Sequence, residues 1–212
     1  MLTVRAYAKV NLTLEVLGKR EDGYHQIASV MQTIDLCDEL RFAIADEVSL
    51  RCNRASLETP DNRVLKAAAL LKQQTGYSGG AEIYLNKAIP VASGLGGGSS
   101  DAAATLKALD QLWGLGLEHE KLRSLAASIG SDVPFFLRGG TAIAEGRGEV
   151  VHELPSMPMV HLVLLAAPVE MPNKTATMYG HLTPEQYTKG GATLRLRRCL
   201  EDGKLPDAKL LF

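Results

Sequence analysis

Pro90-Val-Ala-Ser-Gly94-Leu-Gly-Gly-Gly98-Ser-Ser-Asp101 lies between two regular stretches of the chain. Before it, Ala81 to Leu85 alternates, with Ala81, Ile83 and Leu85 on one side, the period of a strand. After it, Ala102, Leu106, Leu109 and Trp113 recur at helical spacing, which predicts a helix over 102–113. Glycines let backbone take left-handed angles and let a ligand come close. The two serines add hydroxyl donors. The helix that follows offers unpaired N–H groups and the positive end of its dipole. Strand, glycine loop and helix start, in that order, make an anion site, and the usual anion is a phosphate. No Gly-Lys-Ser/Thr closes the segment, so it is not a Walker A loop. Gly94 and Gly96 fit a dinucleotide fingerprint, but Ser99 stands where its third glycine would be.

Working outward, Tyr7 to Leu17 reads as a strand with Val10, Leu12, Leu14 and Val16 on a buried face. Lys9, Asn11, Thr13 and Glu15 share the opposite, polar face. Lys19 to Gly23 is a polar turn, Gln26 to Leu36 a second strand, and Arg41 to Leu50 a weaker third. Asp61 or Asn62 caps a helix to about Gln74, with Val64, Ala68 and Leu71 inward and Gly76 at its end. A further helix over Glu118 to Ile129 buries Leu122, Leu125, Ala126 and Ile129 and ends at Gly130. Val160 to Ala167 reads as a buried strand, and Leu154-Pro-Ser-Met-Pro158 as a boundary between two parts. Strands and helices mix without strict β-α-β alternation, so the class is α+β with antiparallel pairs.

The 212 residues suffice for one large or two small domains. A net charge of −1 leaves no bulk positive field for nucleic acid or an anionic membrane. Arg195, Arg197 and Arg198 form a short basic cluster that reads as a solvated helix face. Cys37, Cys52 and Cys199 are odd in number and widely spaced. They fit neither a disulfide framework nor a zinc site, and suit a reducing cytoplasm. The longest apolar stretch is too short for a bilayer, which takes ~20 residues.

Single residues elsewhere leave two readings open. Asp132 either caps a helix or receives a hydroxyl proton. Lys9 and Asn11 either face solvent or work at a site, and Tyr24-His25 is either structural or a recognition pair.

Together these segments resemble the GHMP kinases, the superfamily of galactokinase and of homoserine, mevalonate and phosphomevalonate kinases. Their phosphate loop, Pro-x-x-x-Gly-Leu-Gly-x-x-Ser-Ser, is matched throughout by Pro90 to Ser100. Ala8-Lys-Val-Asn-Leu12, Asp22-Gly-Tyr-His25, Pro60-Asp-Asn62, Gly94 to Ala103 and Gly130-Ser-Asp-Val-Pro-Phe135 carry the resemblance. Gly140-Thr-Ala142 and Glu145-Gly-Arg-Gly-Glu149 extend it. Asp22 to His25 points to the branch that phosphorylates the 2-hydroxyl of a cytidine-diphosphate-linked methylerythritol in the non-mevalonate route to isoprenoids.

The resemblance implies ATP and Mg²⁺, with catalytic roles for Asp132 and Lys9. It implies phosphate contacts from Pro90, Gly94, Leu95, Gly96, Gly97, Gly98, Ser99 and Ser100, with the Ser100 hydroxyl near the metal. Asn62 would contact the adenine side, and Asn11 the reacting hydroxyl. His25 would read the cytosine edge, with the base between Tyr24 and Tyr179. The expected fold is an N-terminal domain like the second domain of ribosomal protein S5 over residues 1–154, with a left-handed β-α-β crossover. A ferredoxin-like domain would begin at 155–212, with ligands in the cleft between the two. Family members continue past Phe212 to a further Gly-Thr-Gly-type loop, for which Gly190-Gly-Ala-Thr193 is not a substitute. The expected partner is the small-molecule substrate, bound by a cytoplasmic monomer or homodimer, without nucleic acid or membrane. The rival readings are a homoserine- or mevalonate-type kinase and a truncated, non-catalytic nucleotide-binding protein.

Overall fold

The structure is a computed structural model that describes residues 1–165 and 174–204. The chain divides into two compact units, one of Met1–Val10 with Thr33–Gly139, the other of Asn11–Gln32 with Gly140–Phe212. Two long paired strands, β1 (Leu2–Lys19) and β2 (His25–Ala45), run from one unit into the other. The second and third strands expected from the sequence are therefore largely one. The interruption expected near residues 37–40 is absent because Leu40 and Phe42 keep the inward alternation going, both fully buried.

In the first unit, β3 (Ser49–Cys52) pairs parallel with β4 (Gly80–Asn86), and β4 pairs antiparallel with β2 from Glu39↔Asn86 to Ala45↔Gly80. Helix α1 (Arg63–Thr75) connects β3 to β4. Asn62 caps α1 by accepting from Val64 N–H at 2.9 Å, and Gly76 ends it at φ 71°. Ala81, Ile83 and Leu85 point inward from β4 as the alternation predicts. They pack with Phe42, with Val64, Ala68 and Leu71 of α1, and with Leu106 and Leu109 of α2 (Gly97–Trp113). Each of the larger side chains contributes about 1.5–3 kcal/mol by leaving water, the alanines less. Helix α3 (His119–Ile129) buries Leu125 and Ala126, and a single turn, α4 (Val133–Phe136), follows.

Helix α2 starts at Gly97 rather than Ala102. The glycines were expected to stay in the loop. Gly96 instead turns the chain at φ 73°, and Gly97, Gly98, Ser99 and Ser100 form the first turn.

In the second unit, β5 (Thr141–Gly146) pairs antiparallel with β2 from Ile27↔Gly146 to Gln32↔Thr141, and β6 (Val150–Glu153) pairs antiparallel with β5. Two helices follow, α5 (Lys174–Gly180) and α6 (Gly191–Glu201). Helix α6 buries Thr193, Leu196 and Leu200 and leaves Arg195, Arg197 and Arg198 exposed, as the basic cluster suggests.

Here β1 is covered on both faces: Leu12 is buried as expected, but the polar side is covered as well, which corrects the expected orientation in part. Leu14 is 50% exposed, whereas Thr13 is buried and shares a 3.0 Å hydrogen bond with Thr193. Glu15 accepts from Thr193 N–H at 2.7 Å. Burial alone would push the Glu15 carboxyl up, but the hydrogen bonds from Thr193 hold it below its ordinary value. Polar groups can be buried there because α6 supplies partners.

The buried strand expected over Val160 to Ala167 is not found over 160–165, which form no strand, and Val163 and Leu165 are about nine-tenths exposed (88% and 93%). A strand is buried only where neighbours pair with its backbone, and no described residue does so here. Residues 166 and 167 lie outside the described residues.

Candidate active site

The glycine segment is organised by its turns. Ser93 Oγ donates to Pro90 O at 2.8 Å and closes the first bend, leaving Pro90 exposed. Gly94 sits at φ 85°, and a Cβ there would meet nothing within 4 Å, so its backbone is open to a ligand. Gly98 is also exposed. Gly96 O accepts from Ser99 N–H at 3.0 Å and Ser100 N–H at 2.9 Å. The N–H groups of Gly97 and Gly98 make no such bond among the described residues, so two donors at the positive end of α2 remain for an anion. The segment thus combines positive-φ turns, open backbone at Gly94 and two N–H donors left over at the start of α2.

Lys9 reaches this cradle from β1. Its backbone N–H donates to Leu95 O at 2.9 Å, and its Cγ would lie 3.2 Å from a Cβ on Gly96. Its ammonium, on a buried side chain, stands 3.5 Å from Asp132 Oδ2. Asp132 occupies the cap position of α4 but makes no side-chain capping bond there. Of the two readings open from sequence, the helix cap is therefore not the one its carboxylate serves. Its side chain is 34% exposed, so the carboxylate is both paired and accessible.

Asn62 has both ends of its amide engaged, accepting from Val64 N–H and donating to Leu57 O at 2.8 Å. The Ser99 hydroxyl accepts from Arg63 at 2.6 Å. Ser100, on the first turn of α2, is 3% exposed as a residue. No group of three His, Cys, Asp or Glu able to hold a metal occurs among the described residues.

In the second unit, Asn11 donates to Ser29 Oγ at 2.7 Å, and Ser29 donates onward to Thr13 O at 2.6 Å, so the Asn11 amide is held by a buried hydroxyl. His25 lies 5.2 Å, ring centre to ring centre, from Tyr179 and 6.0 Å from Tyr187, the latter edge-on. Tyr24 makes no ring pair with this group among the described residues and carries the Arg147 guanidinium over its ring at 4.9 Å.

Three features were missed by sequence reasoning. Tyr187 completes the aromatic group around His25, and nothing in its own stretch marks it. Arg63 opens α1 immediately after the named Asn62, and a cation there is an oddity, because helix N-termini favour acids. The third is a buried charge cluster behind the cradle. Lys87 pairs with Asp38, and with Asp101 of α2 at 2.7 Å. Asp38 also accepts from Ala88 N–H at 2.6 Å and Ile89 N–H at 2.8 Å. Asp101 Oδ1 has no partner. Burial raises the Asp101 carboxyl to about 7, the Asp38 charge adding to the shift and Lys87 opposing it. A Cβ on Gly97 would come within 2.7 Å of Lys87 Nζ, so this cluster backs the cradle directly.

Comparisons with known proteins show the family of the chain. The family profile described as GHMP kinases N terminal domain matches residues 62–140. The chain is 45% identical over 206 residues to 4-diphosphocytidyl-2-C-methyl-D-erythritol kinase of Dehalococcoides mccartyi, covering 97% of this chain and 72% of that protein. It is 47% identical over 191 residues to the Heliobacterium modesticaldum protein of the same name, covering 88% of this chain and 58% of that one. Among solved structures, a crystal structure of 4-(cytidine 5'-diphospho)-2C-methyl-D-erythritol kinase superposes with a TM-score of 0.73 at 33% identity, covering 97% of this chain and 73% of that one. The Methanococcus jannaschii mevalonate kinase shares the fold alone, with a TM-score of 0.65 at 13% identity, covering 99% of this chain and 74% of that one. No helix among the described residues is long and apolar enough to cross a membrane.

Proposed function

The chain belongs to the 4-diphosphocytidyl-2-C-methyl-D-erythritol kinase family of GHMP kinases, and from that premise we propose that it transfers the γ-phosphate of ATP to the 2-hydroxyl of 4-diphosphocytidyl-2-C-methyl-D-erythritol. The observation that carries this reading is the meeting of three parts in one place: Asp132, the Lys9 ammonium 3.5 Å from it, and the glycine cradle against the Lys9 backbone.

Asp132 accepts the proton of the substrate hydroxyl, or orients that hydroxyl, as its oxygen bonds to the γ-phosphorus. The bond from that phosphorus to the β–γ bridging oxygen breaks, and ADP leaves with the electron pair. Lys9 pairs with Asp132 at 3.5 Å and offsets charge that builds on the transferring group. Transfer of this kind rests on positioning and electrostatics, so a cradle and two charged residues suffice.

Gly94 to Ser100 bind the nucleotide phosphates through backbone donors. The Ser100 hydroxyl makes no hydrogen bond among the described residues, which suits a hydroxyl kept for a ligand. Without a carboxylate cage, the site fits Mg²⁺ held mainly by nucleotide phosphates and water, with Ser100 beside it. Mg²⁺ there would neutralise phosphate charge. For Asn62 the role reduces to shaping the adenine side, since its amide oxygen caps α1 and its amide nitrogen donates to Leu57 O. Asn11, held by Ser29, is assigned to the reacting hydroxyl. His25 is assigned to the cytosine edge, with Tyr179 packing on the base and Tyr24 contributing from beside Arg147.

The test is a coupled ADP-release assay with ATP, Mg²⁺ and the cytidine substrate, with homoserine and mevalonate run beside it. ADP release with the cytidine substrate alone is expected. Turnover of homoserine or mevalonate instead would overturn the substrate assignment.

A further inference from the structure

We propose that Arg63 is a nucleotide-phosphate-binding residue that supplies the cradle with the fixed side-chain cation its glycine loop lacks. The inference rests on the assignment of Gly94 to Ser100 as the ATP phosphate site.

Four observations converge on it. First, Arg63 is tied to the cradle itself, donating from one terminal guanidinium nitrogen to Ser99 Oγ at 2.6 Å. Second, its side chain runs along the open part of the loop. Its Cδ would lie 3.6 Å from a Cβ on exposed Gly98, whose N–H is one of the two donors left over at the start of α2. Third, the same guanidinium reaches the segment that carries the proposed acid, with Nη1 3.2 Å from where a Cβ on Gly130 would stand, two residues before Asp132. Fourth, the charge has no counter-ion. No carboxylate pairs with Arg63 among the described residues, and Arg63 is exposed.

The local energetics make this placement costly without an anion. Arg63 is the first residue of α1, whose first turn holds no acid, so a cation sits at the positive end of a helix dipole. The start of α2 adds a second positive end beside it. Two helix starts and a guanidinium form one concentration of positive potential. A bound polyphosphate turns that mutual repulsion into attraction. One guanidinium nitrogen is held by Ser99, so the planar fork is oriented in advance, and its remaining N–H groups are left for phosphate oxygens.

The experiment compares the full chain with Arg63→Ala and Arg63→Lys. It measures the binding of ATP, ADP and adenosine by calorimetry, and the melting temperature of each variant. For Arg63→Ala we expect ATP and ADP affinity to fall on the order of tenfold or more, the loss of a charge-assisted contact. Adenosine affinity and melting temperature should stay near those of the unaltered chain. Arg63→Lys should recover part of the loss, as a point charge without the fork. The proposal is overturned if Arg63→Ala binds ATP as the unaltered chain does. It is overturned equally if affinity for adenosine falls as much as affinity for ATP, or if the protein unfolds at markedly lower temperature, since either marks a brace between α1 and α2. If the unaltered chain binds none of the three nucleotides, this inference fails together with the ATP assignment. Failure of Arg63 alone leaves that assignment intact.

Discussion

Lys9 Nζ stands 3.5 Å from Asp132 Oδ2, with the lysine side chain 6% exposed and the aspartate 34%. A buried ammonium needs a partner, because leaving it unpaired costs several kcal/mol, roughly. The role proposed for the aspartate needs access, because a substrate hydroxyl would have to reach it. The pair meets both conditions, with the lysine buried and the aspartate open.

Replacing Asp132 by Ala should therefore lower kcat by on the order of 100-fold or more, the range of a positioned acid–base group. ATP affinity should survive, because no phosphate-binding group is touched. Steady-state kinetics with ATP titration checks both halves. Near-normal turnover in this variant would remove Asp132 from the chemistry.

Gly96→Ala should damage both stability and ATP binding. At φ 73° an L side chain is strained by ~1–2 kcal/mol, and the new Cβ would stand 2.6 Å from the Phe136 ring. Thermal melting and ATP titration would show it. Gly94→Ala shares a positive φ but meets open space, so its loss should be smaller in stability than in ATP affinity.

The buried cluster behind the cradle predicts a pH dependence of stability. The Asp101 carboxyl lies at about 7 when folded against an ordinary 3.8, so the native state holds a proton there that the unfolded chain has released. Its contribution is most favourable below the ordinary value and is lost as pH rises toward about 7. Melting temperature should fall by a few degrees, roughly, between pH 5 and pH 8. Asp101→Asn keeps the shape but cannot ionise against Asp38, so it should flatten that trend. An unchanged slope in this variant would place the pH dependence elsewhere.

His25→Ala and Tyr187→Ala should each raise KM for the cytidine substrate several-fold, roughly, with little change in KM for ATP, since the ring contacts at 5.2 Å and 6.0 Å form one aromatic group. Tyr24→Ala, which removes a ring under Arg147 rather than one beside His25, should have the smaller effect. Equal shifts in both KM values for His25→Ala would mean that the pyrimidine contact is misplaced.

Much of this protein was legible one residue at a time. Alternation placed Ala81, Ile83 and Leu85 inward, Asn62 and Gly76 marked the ends of α1, and the glycines marked the turn that leads into α2. These are local signals, carried by backbone propensity and by the period of apolar residues, and neighbours in sequence suffice to read them. The tertiary structure decided what depends on distant partners. It set Lys9 against Asp132, 123 positions apart in the numbering, and made two isolated charges an ion pair. It covered the polar side of β1 as well as Leu12 in the second unit, because α6 brings Thr193 to hydrogen-bond Thr13 and Glu15. It left 160–165 without a strand despite their apolar run, because no described residue pairs with them. It brought Tyr187 to His25 and Arg63 to Ser99. Burial of a charge or a polar group is favourable only where a partner meets it, and the partner's position is a property of the fold, not of the stretch that carries the group.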